Sequence, residues 1–177
     1  MKVTVLVFVL LAICACSSGN KMDYKKVLAK KSCQKCDLKG LDLEKADLRG
    51  LNLSGANLNG ANLTEADLSG ANLNRASLMK TNLKNANLKN AGLVQANLKY
   101  ANLYQTNLAG ANLREAALDG AHMFGTNLFR ANLTKADLEL ANLTGVILNE
   151  AILCQTYIEH KLTLNDWNED NSGCKKD

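Results

Sequence analysis

The chain has 177 residues, 21 basic and 17 acidic side chains, no proline and only eight aromatics. Plentiful aliphatics argue against disorder, and the scarcity of large rings argues against an ordinary globular core. The mildly basic balance, formally +4, does not mark a nucleic-acid binder.

Residues 1–15 read as a signal peptide. Lys2 precedes an apolar run from Val3 to Ile13, too short to span and remain in a bilayer. The end of this run, Ile13-Cys14-Ala15-Cys16, resembles a bacterial lipobox. That resemblance implies cleavage after Ala15 and lipidation of Cys16. Leu11-Ala12-Ile13-Cys14 fits less well, because Ile13 is bulky at the cut. The departures at Ile13 and Cys14 keep ordinary secretion as the alternative. Residues 16–35 then supply a polar tether, Ser17-Ser18-Gly19-Asn20, and an N-terminal cap from Tyr24 to Lys31. Ser17 suits the outer membrane or periplasm of a Gram-negative cell under lipoprotein sorting rules. Export implies an oxidising compartment.

From Cys36 to His160 the chain divides into 25 consecutive fives. The third position is Leu in 23 of them, with Met123 and Ile158 the exceptions. The first position is Ala in 17, and the second is Asn in 13 and Asp in five. On an α-helix five residues carry each Leu 140° further round, so no apolar stripe forms (100° per residue). On a flat strand an odd period alternates the leucines between faces. A corner in every unit solves both problems. The first and third positions then point inward, the second points outward, and the fourth and fifth turn the corner. Nine of the 12 glycines occupy the fifth position, where a tight turn needs positive φ.

This A-[DN]-L-x-x pattern resembles the pentapeptide repeat family over residues 36–160. The resemblance implies an all-β fold: a right-handed quadrilateral parallel β-helix with four units per coil and about six coils. At about 4.8 Å per coil the rod is roughly 30 Å long. Residues 161–177 break the period and form a C-terminal cap or tail, with Leu164 and Trp167 placed to close the end. The CQKC and AILC…NSGC elements resemble the ends of exported family members. Cys33, Cys36, Cys154 and Cys174 allow three disulfide pairings. Cys33–Cys36 with Cys154–Cys174 is favoured, because the two pairs fall at opposite rod ends.

Function then rests with outward side chains. At four units per coil Tyr104 and Phe124 stack, Tyr100 sits at the preceding corner and Phe129 on the next side. The alternative for these rings is a ladder that stabilises the sheet itself. No acidic residue lies between Asp67 and Glu115, while Arg75, Lys80, Lys84, Lys89, Lys99 and Arg114 do. This belt suits an anionic surface or an envelope protein as partner, and its alternative is a solvated lysine-rich surface. A rod end offers a homodimer contact. Isolated His122 and His160 provide no catalytic or metal constellation, so neither an enzyme, a cofactor nor a metal is expected. The expected function is a non-catalytic, lipid-anchored scaffold of the bacterial envelope. The alternative, implied by the resemblance, is the DNA-mimicking topoisomerase binding of some family members. That role wants an acidic cytoplasmic rod, so nucleic-acid chemistry is not expected here.

Overall fold

A computed structural model describes residues 32–158, together with Val27 and Ala29. The signal peptide, Cys16, the tether, His160, Trp167 and Cys174 lie outside the described residues. So does the rest of the expected N-terminal cap, of which Val27 is buried in the core.

The winding follows from backbone pairing. Every β-bridge is parallel and joins residues 20 apart, from Asp37↔Asn57 to Asp137↔Tyr157. Four pentapeptides therefore make one coil, and the chain forms a quadrilateral β-helix. We number the sides by their opening units: 36–40, 41–45, 46–50 and 51–55, each recurring every 20 residues.

Each corner is a hydrogen-bonded β-turn centred on the fourth and fifth positions. The first-position N–H donates to the preceding Leu carbonyl, as in Ala56 N to Leu53 O at 3.0 Å. Positive φ occurs at the fifth position and not the fourth, the pattern of a type II turn. The glycine preference was a guide to this, but the requirement is general. All 25 fifth positions from Lys35 to Gln155 have positive φ, and 16 of them are not glycine. A left-handed residue with a Cβ costs about 1–2 kcal/mol. The turn bond and the ladder bonds on either side hold it in place.

Backbone donors are almost fully committed. Leu63 N donates to Asn82 O in the next coil at 2.7 Å, and Asn62 N to Leu41 O in the previous one at 2.9 Å. The fifth-position N–H also bonds forward, as in Glu65 N to Lys84 O. The fourth-position N–H turns to a side chain: Ser69 N donates to Asp67 Oδ1 at 3.0 Å. Asn and Asp at the second position thus close a local Asx turn. Their amides also link coils, as Asn87 Nδ2 donates to Asp67 Oδ1 and Asn107 Nδ2 to Asn87 Oδ1. Two units that lack this residue are repaired from the coil below. Asn59 Oδ1 accepts from Met79 N and from Ser77 Oγ. Asn74 Oδ1 accepts from Val94 N, and lies where a Cβ on Gly92 would come within 3.1 Å.

The interior is a column of leucine with alanine between, and Leu53 to Leu133 are at most 1% exposed along the column. Burying each Leu contributes about 2 kcal/mol. Thr81, Thr106 and Thr126 enter alanine slots without an unpaired hydroxyl, each donating to a Leu carbonyl of the previous coil at 2.7–2.8 Å. At the N-terminal end Cys33 and Cys36 occupy adjacent inward positions and form a disulfide, with Cα atoms 5.3 Å apart. Closing so short a loop stabilises by about 2 kcal/mol in the chain-entropy model. Replacing both with Ser should therefore fray the first coil in hydrogen exchange and leave coils beyond Leu78 protected. Cys154 is also disulfide-bonded. Its expected partner, Cys174, lies outside the described residues.

Candidate interaction surface

The first and second sides share a break in the repeat's polar coat midway along the rod. Units 116–120 and 121–125, AALDG and AHMFG, lack the second-position Asn or Asp in succession. Ala117 and His122 stand there instead, so neither unit can close an Asx turn. The exposed aromatics Tyr100, Tyr104 and Phe124 gather around this gap.

Tyr104 and Phe124 stack along the rod, with centroids 5.5 Å apart and planes 10° from parallel. The Lys84 ammonium continues the column, 5.5 Å from the Tyr104 centroid. Tyr104 is therefore held between the Lys84 ammonium on one face and the Phe124 ring on the other. Tyr100 leans over the glycine one coil on. A Cβ on Gly120 would come within 2.5 Å of its ring. On the third side Phe129 lies under the Arg130 guanidinium at 4.8 Å, and Arg130 also pairs with Glu150. Tyr100, Tyr104 and Phe124 are all exposed, at 49, 36 and 43%. The aromatic column both braces the sheet and forms part of its surface.

Two variants separate those roles. Stacked pairs contribute about 0.5–1.5 kcal/mol beyond area burial, so a Tyr104→Ala, Phe124→Ala cycle should show coupling of that size in thermal melts. Coupling indistinguishable from zero would remove the brace. Gly120→Ala should destabilise more than Gly60→Ala, where no atom lies within 4 Å of the added Cβ. Both share the backbone strain, so the excess reports Tyr100. A Tyr100→Ala background should abolish that excess.

The basic residues are distributed over all four sides. Arg75 joins a fifth-position ladder on the fourth side: its Nε donates to Gln95 Oε1, and Gln95 Nε2 donates to Glu115 Oε2. Lys99 meets Asp119 at 3.5 Å. Lys80, Lys84 and Lys89 occupy successive sides, with Lys84 the one against a ring. The structure thus brings Lys84 together with Tyr104 and Phe124, and Lys99 onto the coil of Tyr100. It places Arg75 and Lys89 on other sides. His122 and Asp119 belong to the same neighbourhood and were missed as surface candidates. The lapse of Asn at positions 117 and 122 is the signal that marks them.

Acidic residues flank the basic stretch on both sides, and the N-terminal coils pair theirs with nearby cations. Lys45 lies between Glu44 and Glu65, at 3.2 and 3.7 Å. The hydrogen bond to Glu44 and the charge of Glu65 raise its pKa above the ordinary lysine value. Arg49 is raised likewise, chiefly by its hydrogen bond to Asp47. Both are solvated surface pairs of little energetic weight. Among the described residues no group of His, Cys, Asp and Glu is placed to hold a metal ion. Nor is any helix among them long and apolar enough to cross a membrane.

The family model for pentapeptide repeats matches this chain in eight copies, over residues 32–64, 56–93, 91–128 and 121–157. Members of that family are generally non-catalytic. No curated protein matches the sequence. Among solved structures it is similar to a pentapeptide repeat protein of the Arabidopsis thaliana thylakoid lumen, at 28% identity over 63% of this chain and 70% of that one, with a TM-score of 0.41. Rfr23, from the cyanobacterium Cyanothece 51142, is 30% identical over 77% of this chain and 92% of its own, with a TM-score of 0.38. The plasmid-mediated fluoroquinolone resistance protein QnrB1 is 20% identical over 67% and 77%, with a TM-score of 0.39. With 25 unbroken fives, a 20-residue coil and the family model matched along nearly the whole rod, this chain belongs to the pentapeptide repeat family.

Proposed function

We propose that this protein is a non-catalytic scaffold of the bacterial cell envelope, anchored by a lipid on Cys16 and engaging its partner through outward side chains. The carrying observation is how the side chains are committed. First and third positions fill the lumen, and second positions are consumed by Asx turns and coil-to-coil amides. What remains for recognition is the fourth and fifth positions and the gap at Ala117 and His122. The surface we assign centres on Tyr100, Tyr104, Phe124 and Lys84, with Phe129 and Lys99 at its margins. Lys80, Lys89 and Arg75 add positive charge around the same coils. An anionic envelope surface or an acidic protein face complements this set.

The lipobox resemblance at Ala15-Cys16 and the polar tether after it support the anchor. A Ser17 after the acceptor fits outer-membrane retention in a Gram-negative host. Mass spectrometry of envelope fractions is the test. The expected mature N-terminus is an acylated Cys16, and Cys16→Ser should release the protein from membranes. An unmodified N-terminus downstream of Cys16 would reject the anchor. Crosslinking from position 122, beside the ring column, in the mature protein identifies the partner. Capture that survives Tyr104→Ala, Phe124→Ala and Lys84→Glu together would reject the surface. Gyrase inhibition by the mature protein at stoichiometric levels would instead support the DNA-mimic alternative.

A further inference from the structure

The second side is bordered by the fifth positions of the first side and by its own fourth positions. From Gly60 to Thr144 those two borders and the second positions between them hold no acidic residue. Lys80 and Lys84 frame Asn82, and neither belongs to an ion pair among the described residues. One coil on, Tyr100 and Tyr104 frame Asn102, and Phe124 and Leu140 continue the two borders. These four are the only exposed large hydrophobic side chains among the described residues up to position 146. The fourth side is also free of acids between Gly70 and Thr134. There, however, Arg114 and Arg130 pair with Glu115 and Glu150, and no large hydrophobic residue is exposed.

The backbone adds a donor. Every fourth-position N–H from Lys39 to Thr144 has a side-chain acceptor except those of Asp119 and Phe124, which have none among the described residues. Elsewhere a missing Asx acceptor is replaced by an Asn of the coil below, at Met79 and Val94. Here the residues below are Lys99 and Tyr104, and neither takes that role. The counterparts of Phe124 N, at Tyr104 and Thr144, bond on the second side; those of Asp119 N, at Lys99 and Glu139, bond on the first. The Asp119 carboxylate, just beyond the Gly120 border, is matched by Lys99.

We propose that the second side is a membrane-docking face that lays the rod along an anionic phospholipid surface. Tyr100, Tyr104, Phe124 and Leu140 enter the headgroup boundary, where rings and apolar side chains beside lysine are favoured. Lys80 and Lys84 meet headgroup phosphates. A phosphodiester accepts hydrogen bonds and donates none, so it also completes the Phe124 N–H. The contact groups occupy both borders of one straight side over about 20 Å of rod, which is the layout of a plane of contact and not of one bound chain. The inference rests on the reading of this surface as the partner face, and it needs no lipid on Cys16.

The test uses the oxidised mature protein with Cys16→Ser, so that no acyl chain contributes. It should sediment with vesicles of phosphatidylethanolamine and phosphatidylglycerol, less so at high salt, and not with phosphatidylcholine vesicles. Each lysine near an anionic surface is worth about fivefold in binding. Lys80→Glu with Lys84→Glu should therefore weaken binding more than about 20-fold. Lys89→Glu with Lys135→Glu makes the same change of net charge on other sides and should cost far less. Tyr104→Ala with Phe124→Ala should weaken binding in a protein whose circular dichroism stays native. On bicelles of the anionic mixture the Phe124 amide should exchange more slowly with solvent than in buffer, while the equally bare Asp119 amide stays fast. Equal losses from the two lysine pairs, or no preferential slowing at Phe124, would overturn the docking face. So would absence of vesicle binding. If crosslinking from position 122 then still captured a protein that Lys84→Glu releases, the partner surface would stand with a protein as its occupant.

Discussion

Leu88→Asp should break the rod in two. Leu88 is fully buried, and its lumen neighbours one coil away are Leu68 and Leu108. The surrounding backbone groups are already paired, so a carboxylate there finds no free donor. Losing the leucine and burying an unpaired polar group should cost more than about 4 kcal/mol, a large part of the stability of a domain this size. Leu88→Ala removes the packing alone and should cost about 2–5 kcal/mol. Lys89→Asp, one residue away and exposed, should stay within about 0.5 kcal/mol. Circular dichroism melts rank the three. Hydrogen exchange should locate the Leu88→Asp loss in the coils holding Leu68 to Leu108, because each coil contacts only its neighbours. A Leu88→Asp protein with native circular dichroism and one cooperative melt would contradict the solenoid.

Proline should be tolerated at one position of the repeat and excluded from the next turn of the ladder. Asn107→Pro removes the N–H that bonds Ala86 O across coils and sets a ring against that strand, for a cost of about 3 kcal/mol or more. Ala109→Pro removes only the bond from Ala109 N to Asn107 Oδ1. That residue is the second of a type II turn, which suits proline, and Leu108 before it is extended as proline requires. Its cost should be no more than about 1 kcal/mol, the worth of one ordinary hydrogen bond. Thermal melts of the two variants check the contrast. Equal destabilisation would show that the Asx bond matters as much as the ladder. The chain has no proline at all, which fits a repeat in which all five N–H groups are used.

Legibility differed between the fold and the surface. The lumen could be read directly, because only an inward-turning corner places every third-position Leu and first-position Ala in one dry interior. The recurrence of Asn or Asp at the second position was equally plain, but that Asn107 bonds Asn87 one coil away required the structure. The Cys33–Cys36 pair was favoured because the two cysteine pairs fall at opposite rod ends, and the structure shows it bonded. The surface was harder. Pairing Tyr104 with Phe124 needs only the coil length, but the placing of Lys84 over the other face of Tyr104 does not follow from spacing. Nor does the dependence of Tyr100 on the absence of a Cβ at residue 120. Glycine counts also understated the corner, since residues such as Arg75 and Tyr100 hold positive φ there as well.

The sequence by itself determined what faces inward, what faces outward and where the chain turns. A five-residue period with two apolar positions admits a single arrangement of burial. Only the tertiary structure decided what meets across coils. The number of units per coil sets whether residue 104 lies against 124 or elsewhere, and the period is silent on that number. Contacts between residues 20 apart depend on the accumulated corner angle and on which neighbours leave room. The bonds of Asn59 and Asn74 to the following coil and the Tyr100 ring over Gly120 belong to that level.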